Sequence, residues 1–130
     1  MARVTVLDAC VLTAHLDEAD AHHQRATRLL ESLAGRAKSV SVLTRAEVLV
    51  APALLGRRRT AEESLDRLRV QTKELSAPGG QLAELRARTG LRMPDCCVLL
   101  TAETSGAELA TFDERLARLA AARGVTVRTE

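Results

Sequence analysis

Val4-Thr5-Val6-Leu7-Asp8-Ala9-Cys10-Val11-Leu12 is the stretch that decides the fold. Val4 to Leu7 is a short β-branched and apolar run, and it stops at a carboxylate. Such a run reads as a buried strand. Ala9 to Leu16 follows without a linker and reads as a short helix. A strand that passes directly into a helix opens a βα unit, and the rest of the chain repeats the alternation. Ala19, His22, Ala26, Leu29, Leu30 and Leu33 recur at helical spacing over Ala19 to Leu33, with Gly35 just past the end where a C-cap glycine belongs. Ser39 to Val42 is a second strand candidate. Leu43 to Leu55 reads as a helix on the recurrence of Leu43, Ala46, Val50 and Leu54, with Pro52 to kink or limit it.

Further on, Thr60-Ala61-Glu62-Glu63 has the form of a capping box, a threonine with glutamate three residues later. It should start a helix carrying Leu65 and Leu68 and ending near Arg69. Val70 to Leu75 is a weaker strand. Pro78-Gly79-Gly80 breaks the chain. Gln81 to Thr89 and Asp95 to Thr104 read as helices closed by Gly90 and Gly106, and Glu108 to Thr111 as a strand. Asp113 to Ala122 is a helix closed by Gly124, and Val125 to Val127 is the last strand. The alternation predicts one α/β domain over residues 1–130: a three-layer sandwich, with a parallel sheet of four to five strands and helices on both faces.

Composition narrows the function. The chain has 130 residues and is 46% hydrophobic, enough for a core without disulfide or metal staples. No apolar run approaches the ~20 residues of a membrane span, and the N-terminus reaches Asp8 too soon for a signal peptide, so a cytoplasmic protein is expected. Cys10, Cys96 and Cys97 are an odd number, two of them adjacent, and fit reduced, buried thiols. The net charge is only +2, and the only lysines are Lys38 and Lys73. With one Phe and neither Trp nor Tyr, base stacking on aromatic rings looks closed as a binding mode, which leaves arginines, backbone and metal to hold a nucleic acid. Arg57-Arg58-Arg59 is the densest basic run, readable as an RNA grip or as a solvated loop. His22 and His23 point about 100° apart on a helix and make a poor metal pair; they read as structural or surface residues.

In an open parallel sheet the ligand site lies beyond the carboxyl ends of the strands, at the switch in strand order. Four carboxylates stand at such places. Asp8 ends the first strand, Glu47 lies one turn into the helix after the second, Asp95 heads a helix after Pro94, and Asp113 follows the Glu108–Thr111 strand. Each has an ordinary structural alternative. Asp95 and Asp113 could be helix caps, and Asp8 an Asx-turn residue. Glu47 has Leu43, Val50 and Ala51 as helical neighbours, which suggests an inward face. Carboxylates beside core segments are costly unless compensated, and four together repel. A divalent cation relieves this, and oxygen donors suit Mg²⁺ or Mn²⁺. One or two such ions can drive phosphodiester hydrolysis by water, with no side-chain nucleophile.

Four segments then resemble the motifs of the PIN-domain family, in order along the whole chain. Val-Leu-Asp8-Ala-Cys-Val-Leu is similar to its opening motif, and Ser41-Val-Leu-Thr44-Arg-Ala-Glu47-Val-Leu to the second. Pro94-Asp95-Cys-Cys-Val-Leu-Leu-Thr-Ala is similar to the third, and Ala110-Thr111-Phe112-Asp113 to the fourth. The length matches the VapC-type toxins of this family. The resemblance implies a Mg²⁺-dependent endoribonuclease acting on tRNA, ribosomal RNA or mRNA, a small cognate antitoxin that blocks the cleft, and a homodimer. It makes Asp8, Glu47, Asp95 and Asp113 the catalytic, metal-binding carboxylates, with Thr111 and Thr44 as supporting hydroxyls. Cys10 departs from the small polar residue usual at its position. The alternative within the family is a catalytically silent RNA- or protein-binding module. Other α/β activities lack their residues. A receiver domain needs an acidic pair after the first strand, a D-x-D phosphatase needs a second aspartate where Cys10 stands, and a cysteine phosphatase needs an arginine where Leu16 stands.

Overall fold

The computed structural model describes residues 3–74 and 79–130. Along the chain, β1 (Thr5–Leu7), α1 (Ala9–Leu16), α2 (His23–Ser32), β2 (Lys38–Ser41), α3 (Val42–Leu54), α4 (Arg58–Arg67) and β3 (Val70–Lys73) are followed by α5 (Gly79–Thr89), α6 (Met93–Ser105), β4 (Glu108–Ala110), α7 (Glu114–Ala122) and β5 (Val127–Arg128). The strands form one sheet in the order β3-β2-β1-β4-β5, every pairing parallel. The expected α/β sandwich with a parallel sheet is present, at the upper end of the expected strand number.

Successive side chains of a strand face opposite sides of its sheet, and the two cores divide by that rule. Val6 of β1 and Leu109 of β4 belong to one apolar cluster with Leu85, Leu99, Leu116 and Ala120, from α5, α6 and α7. Leu7 and Ala110, one residue on in each strand, belong to the other, with Leu12, Leu29, Val48 and Leu65 from α1, α2, α3 and α4. The central strands are therefore buried on both faces, which is why β1 reads as a continuous apolar run rather than an alternating one. The chain builds outward from β1 to β3, then returns to place β4 on the other side of β1. The order reverses between β1 and β4, and both strands end at the same edge, where the Asp8 N–H donates to the Ala110 carbonyl at 2.9 Å.

Several boundaries differ from the sequence reading. The helix expected over Ala19–Leu33 is only His23–Ser32. Asp17 and Asp20 accept from the Ala19 and His22 N–H groups at 3.0 and 2.8 Å, and these local turns compete with the helix. Thr60 does not cap α4. The helix starts at Arg58 with Arg57 at the N-cap position and no side-chain cap, while Thr60 lies inside it and offers its carbonyl to Ser64. Gly79 and Gly80 belong to α5 rather than to a break; Pro78 and Leu75 fall outside the described residues. The last strand is Val127–Arg128, not Val125–Val127. At Gly106 the chain turns left-handed (φ 61°) to end α6, the conformation that glycine adopts without penalty.

The apolar stripe of α3 is the largest correction. Leu43, Val50 and Leu54 were the expected repeat, yet Leu54 is 82% and Val50 56% exposed, and Leu43 and Ala46 are exposed too. The buried side of α3 is Thr44 and Val48. Among the described residues no helix is long and apolar enough to cross a membrane.

Candidate active site

Asp8 is the fixed point of the site. Its backbone is extended (φ −75°, ψ 150°), so it caps α1, and its Oδ1 accepts from the Ala9 N–H at 2.8 Å. Its Oδ2 accepts from the Thr111 hydroxyl at 2.7 Å and from the Cys10 thiol at 3.2 Å. The residue is only 6% exposed, so these three donors replace water that the carboxylate has lost. Thr111, fully buried just after β4, also accepts from the Asp113 N–H at 3.0 Å. One hydroxyl thus ties the end of β1 to the turn that presents Asp113. Burial first, and then the Asp8 charge, push the Cys10 thiol up to about 12. It stays protonated at neutral pH and serves as a donor, not a nucleophile.

Asp113 caps α7, its Oδ1 accepting from the Leu116 N–H at 3.0 Å. The helix-cap alternative for Asp113 is therefore realised, and the exposed residue still faces the same cleft as Asp8. Asp95 does not cap α6; it lies in the first turn, 3.8 Å from Arg92. Glu47 projects from α3. It shares the exposed face with Leu43, Val50 and Leu54, so the inward face expected for those neighbours is not found. Asp8, Glu47, Asp95 and Asp113 all line one cleft of about 280 Å³ at the carboxyl edge of the sheet. Arg92, His22 and Phe112 line it with them.

The carboxylates feel one another. Asp95 is held above the usual aspartate range by desolvation, then by the charge of Asp8, with Asp113 adding to it and Arg92 and Arg115 opposing. Glu47 is likewise raised by desolvation, then by Asp8 and Asp95, against Arg92. Four acids meet one lining guanidinium, a charge imbalance that a cation would relieve. Among the described residues no three His, Cys, Asp or Glu side chains stand close enough to cage an ion by themselves. A magnesium-type ion does not require that. It keeps several of its waters and is commonly bound through one or two carboxylates. The oxygen-only acid set and the mutual charging of Asp8, Asp95 and Glu47 fit such an ion, and the cleft has room for it with its waters, each of which takes about 30 Å³ in the liquid.

Thr44 lies apart from the cleft lining. It is buried in the N-cap of α3, where its N–H and hydroxyl both meet the Ser41 hydroxyl, at 3.2 and 3.3 Å. Arg57, Arg58 and Arg59 are exposed at the start of α4 and do not line the cleft either; Arg58 pairs with Glu62. The sequence reading missed Arg92 and Phe112 and set His22 aside. The first two are neighbours of motif residues, which was the available signal. His22 comes from the turn before α2, far away in sequence, and nothing local announces it.

Fold and site together define a class: a doubly wound α/β domain whose cleft, at the switch between β1 and β4, is built from carboxylates. The PIN domain family matches residues 5–122, nearly the whole chain, and the chain belongs to that family. Solved structures agree on the fold. A chain of FitAcB from Neisseria gonorrhoeae superposes with a TM-score of 0.69 at 22% identity, covering 95% of this chain and 95% of that one. The toxin VapC20 of Mycobacterium tuberculosis, described as cleaving the sarcin–ricin loop, gives 0.71 at 18% identity, over 88% and 94%. A chain of a toxin–antitoxin complex from Klebsiella pneumoniae gives 0.66 at 23%, over 84% and 86%. No curated protein sequence matches the chain significantly.

Proposed function

We propose that this PIN-domain protein is a metal-dependent endoribonuclease, the toxin of a toxin–antitoxin pair, which hydrolyses RNA phosphodiester bonds with water. The observation that carries the reading is the cleft, where carboxylates from four separate segments converge, two of them linked through Thr111. Asp8, Glu47, Asp95 and Asp113 would hold one or two Mg²⁺ or Mn²⁺ ions, which when bound supply water activation and stabilise charge on the phosphoryl oxygens. The protein's own groups do the rest. Ala9, Thr111 and Cys10 fix the Asp8 carboxylate in one orientation. Arg92, on the cleft wall with its guanidinium largely in solvent, offers a cation to a substrate phosphate. No side chain need attack, and the Cys10 thiol that lines the cleft is protonated and engaged with Asp8.

The expected substrate is a structured RNA, the kind of target for which VapC20 is described. Arg57, Arg58 and Arg59 are exposed cations suited to more distant phosphates. Protein partners are part of the proposal. Leu43, Val50 and Leu54 share one exposed face of α3, and Leu55 follows them. Soluble monomers seldom expose apolar groups in such a patch, and a second copy of the chain would cover it. A cognate antitoxin would enter from the cleft side and block it; one similar structure is described as a toxin–antitoxin complex.

The test is incubation of the purified, antitoxin-free protein with total cellular RNA in Mg²⁺ or Mn²⁺, against EDTA and against Asp8→Asn. The expected result is discrete fragments that require both metal and Asp8. A folded protein that leaves all RNA intact would sink the nuclease reading in favour of a silent binding module.

A further inference from the structure

His22, Arg25 and Phe112 come together at the rim of the acidic cleft from distant parts of the chain. The His22 and Phe112 rings lie 5.7 Å apart at a 40° tilt, and the Arg25 guanidinium sits 4.3 Å from the Phe112 centroid. His22 and Phe112 both line the cleft alongside the four carboxylates.

The placement of each group is specified, and both rings still line the cleft. Phe112 stands between Thr111 and Asp113, so the backbone that fixes the site also fixes this ring. Part of the ring packs on the core around Leu7 and Val11, and part faces the cleft. Arg25 is held by donation from its Nε to the Thr129 carbonyl at 3.0 Å, which leaves the face of its guanidinium for the ring. The His22 backbone is pinned by Asp20, but its imidazole does not cap α2 and is exposed. A half-buried phenyl ring, an exposed imidazole and a flat guanidinium beside a phosphate-directed site are the groups on which single-stranded nucleotides stack.

We propose that His22 and Phe112, with Arg25 behind the ring, form a base-stacking platform that seats an unpaired nucleotide of the RNA next to the scissile phosphate. This rests on the nuclease reading for its substrate class. It revises the expectation that stacking is closed to this chain. A single phenylalanine suffices when the fold brings a histidine and an arginine to it. Stacking is sequence-tolerant but stronger for purines, so the platform gives a purine preference at that position and acts on RNA placement.

The test is fluorescence anisotropy of labelled RNA hexamers, oligo-A and oligo-U, with the Asp8→Asn protein so that nothing is cleaved. His22→Ala and Phe112→Leu are each added to that background. Each is expected to weaken oligo-A binding by roughly 5- to 150-fold, the range for losing one stacked base. The A-over-U difference should shrink, and the salt dependence should stay unchanged, since no phosphate contact is removed. Phe112→Tyr and His22→Phe, which keep a ring, should restore both affinity and preference. Unchanged affinity in His22→Ala, whose exposed side chain is not needed for folding, overturns the platform. So does an equal loss with Phe112→Tyr and Phe112→Leu. The two readings fail separately. Wild-type protein that binds oligo-A through His22 but cleaves no RNA keeps the platform and loses the nuclease. Wild-type protein that cleaves while His22→Ala binds RNA normally does the reverse.

Discussion

Thr111 shows how much a single hydroxyl can carry. It donates to Asp8 at 2.7 Å and accepts from the Asp113 N–H at 3.0 Å, with no exposure to water. Valine has nearly the same shape and neither capacity. Thr111→Val should destabilise the fold by about 1–3 kcal/mol, the cost of leaving a buried partner unsatisfied. It should also lower cleavage by roughly 10- to 100-fold, as losing a group that orients a metal-binding carboxylate does. Thr111→Ser should keep most of both. Urea unfolding and initial cleavage rates check this; full activity in Thr111→Val would show that Asp8 needs no such orientation. Cys10 plays a smaller part in the same network. Its thiol is a weaker donor than the hydroxyl or amide usual at its position, yet it still points its proton at Asp8.

At the scale of elements, α3 carries two kinds of information on one helix. Thr44 and Val48 face inward, while Leu43, Glu47, Val50 and Leu54 follow one another at three- and four-residue steps along the outer face. Anything that covers the apolar part of that face also approaches the edge of the cleft. Val50→Lys with Leu54→Glu should change the unfolding free energy of the isolated chain by no more than about 0.5 kcal/mol, because both side chains already stand mostly in water. The same pair should convert the expected dimer to a monomer in light scattering. A dimer that persists would place the interface elsewhere. Hydrophobic periodicity identified α3 as a helix and assigned it the wrong buried face. Period alone distinguishes apolar from polar sides, not a core from a surface awaiting a partner.

Across the whole molecule the acids act in opposite senses. Glu108, buried at the start of β4 among Arg36, Arg128 and Arg3, is held below the usual glutamate range, chiefly by its hydrogen bond from Arg128. Its contribution to stability is present above the ordinary glutamate pKa and is lost as pH falls through its lowered value. Glu47 and Asp95 are raised instead. They bind protons more readily folded than unfolded, so the metal-free protein loses stability as pH climbs through their raised values. In EDTA, Tm should therefore rise modestly as pH falls from 7.5 through the raised values of Glu47 and Asp95, before the Glu108 cluster fails at lower pH. At pH 7.5 a divalent cation should take over the role of the proton. Saturating Mn²⁺ should add about 1–3 kcal/mol, or roughly 4–11 °C in Tm. Glu47→Gln with Asp95→Asn should abolish most of that gain. A Tm that ignores Mn²⁺ in the wild type would argue against a metal at the four carboxylates.

The sequence by itself determined the βα alternation, the parallel sheet and the four carboxylates that follow its strands or lie in the first turns of its helices. Each of these rests on local rules: a strand buried on both faces is apolar throughout, and chain segments turn where glycine and small polar residues permit. The glycine turn at Gly35 beyond α2 and the carboxylate after β1 were legible for that reason. Only the tertiary structure decided which side of α3 is covered, that Thr44 serves a helix cap, and that Thr111 bridges Asp8 to Asp113. It alone brought His22, Arg25 and Phe112 into one cluster. Those outcomes depend on the order β3-β2-β1-β4-β5, which seats residues about a hundred positions apart beside each other at the sheet's switch point. Contacts across such separations are set by how layers pack, and no local pattern in the chain encodes them.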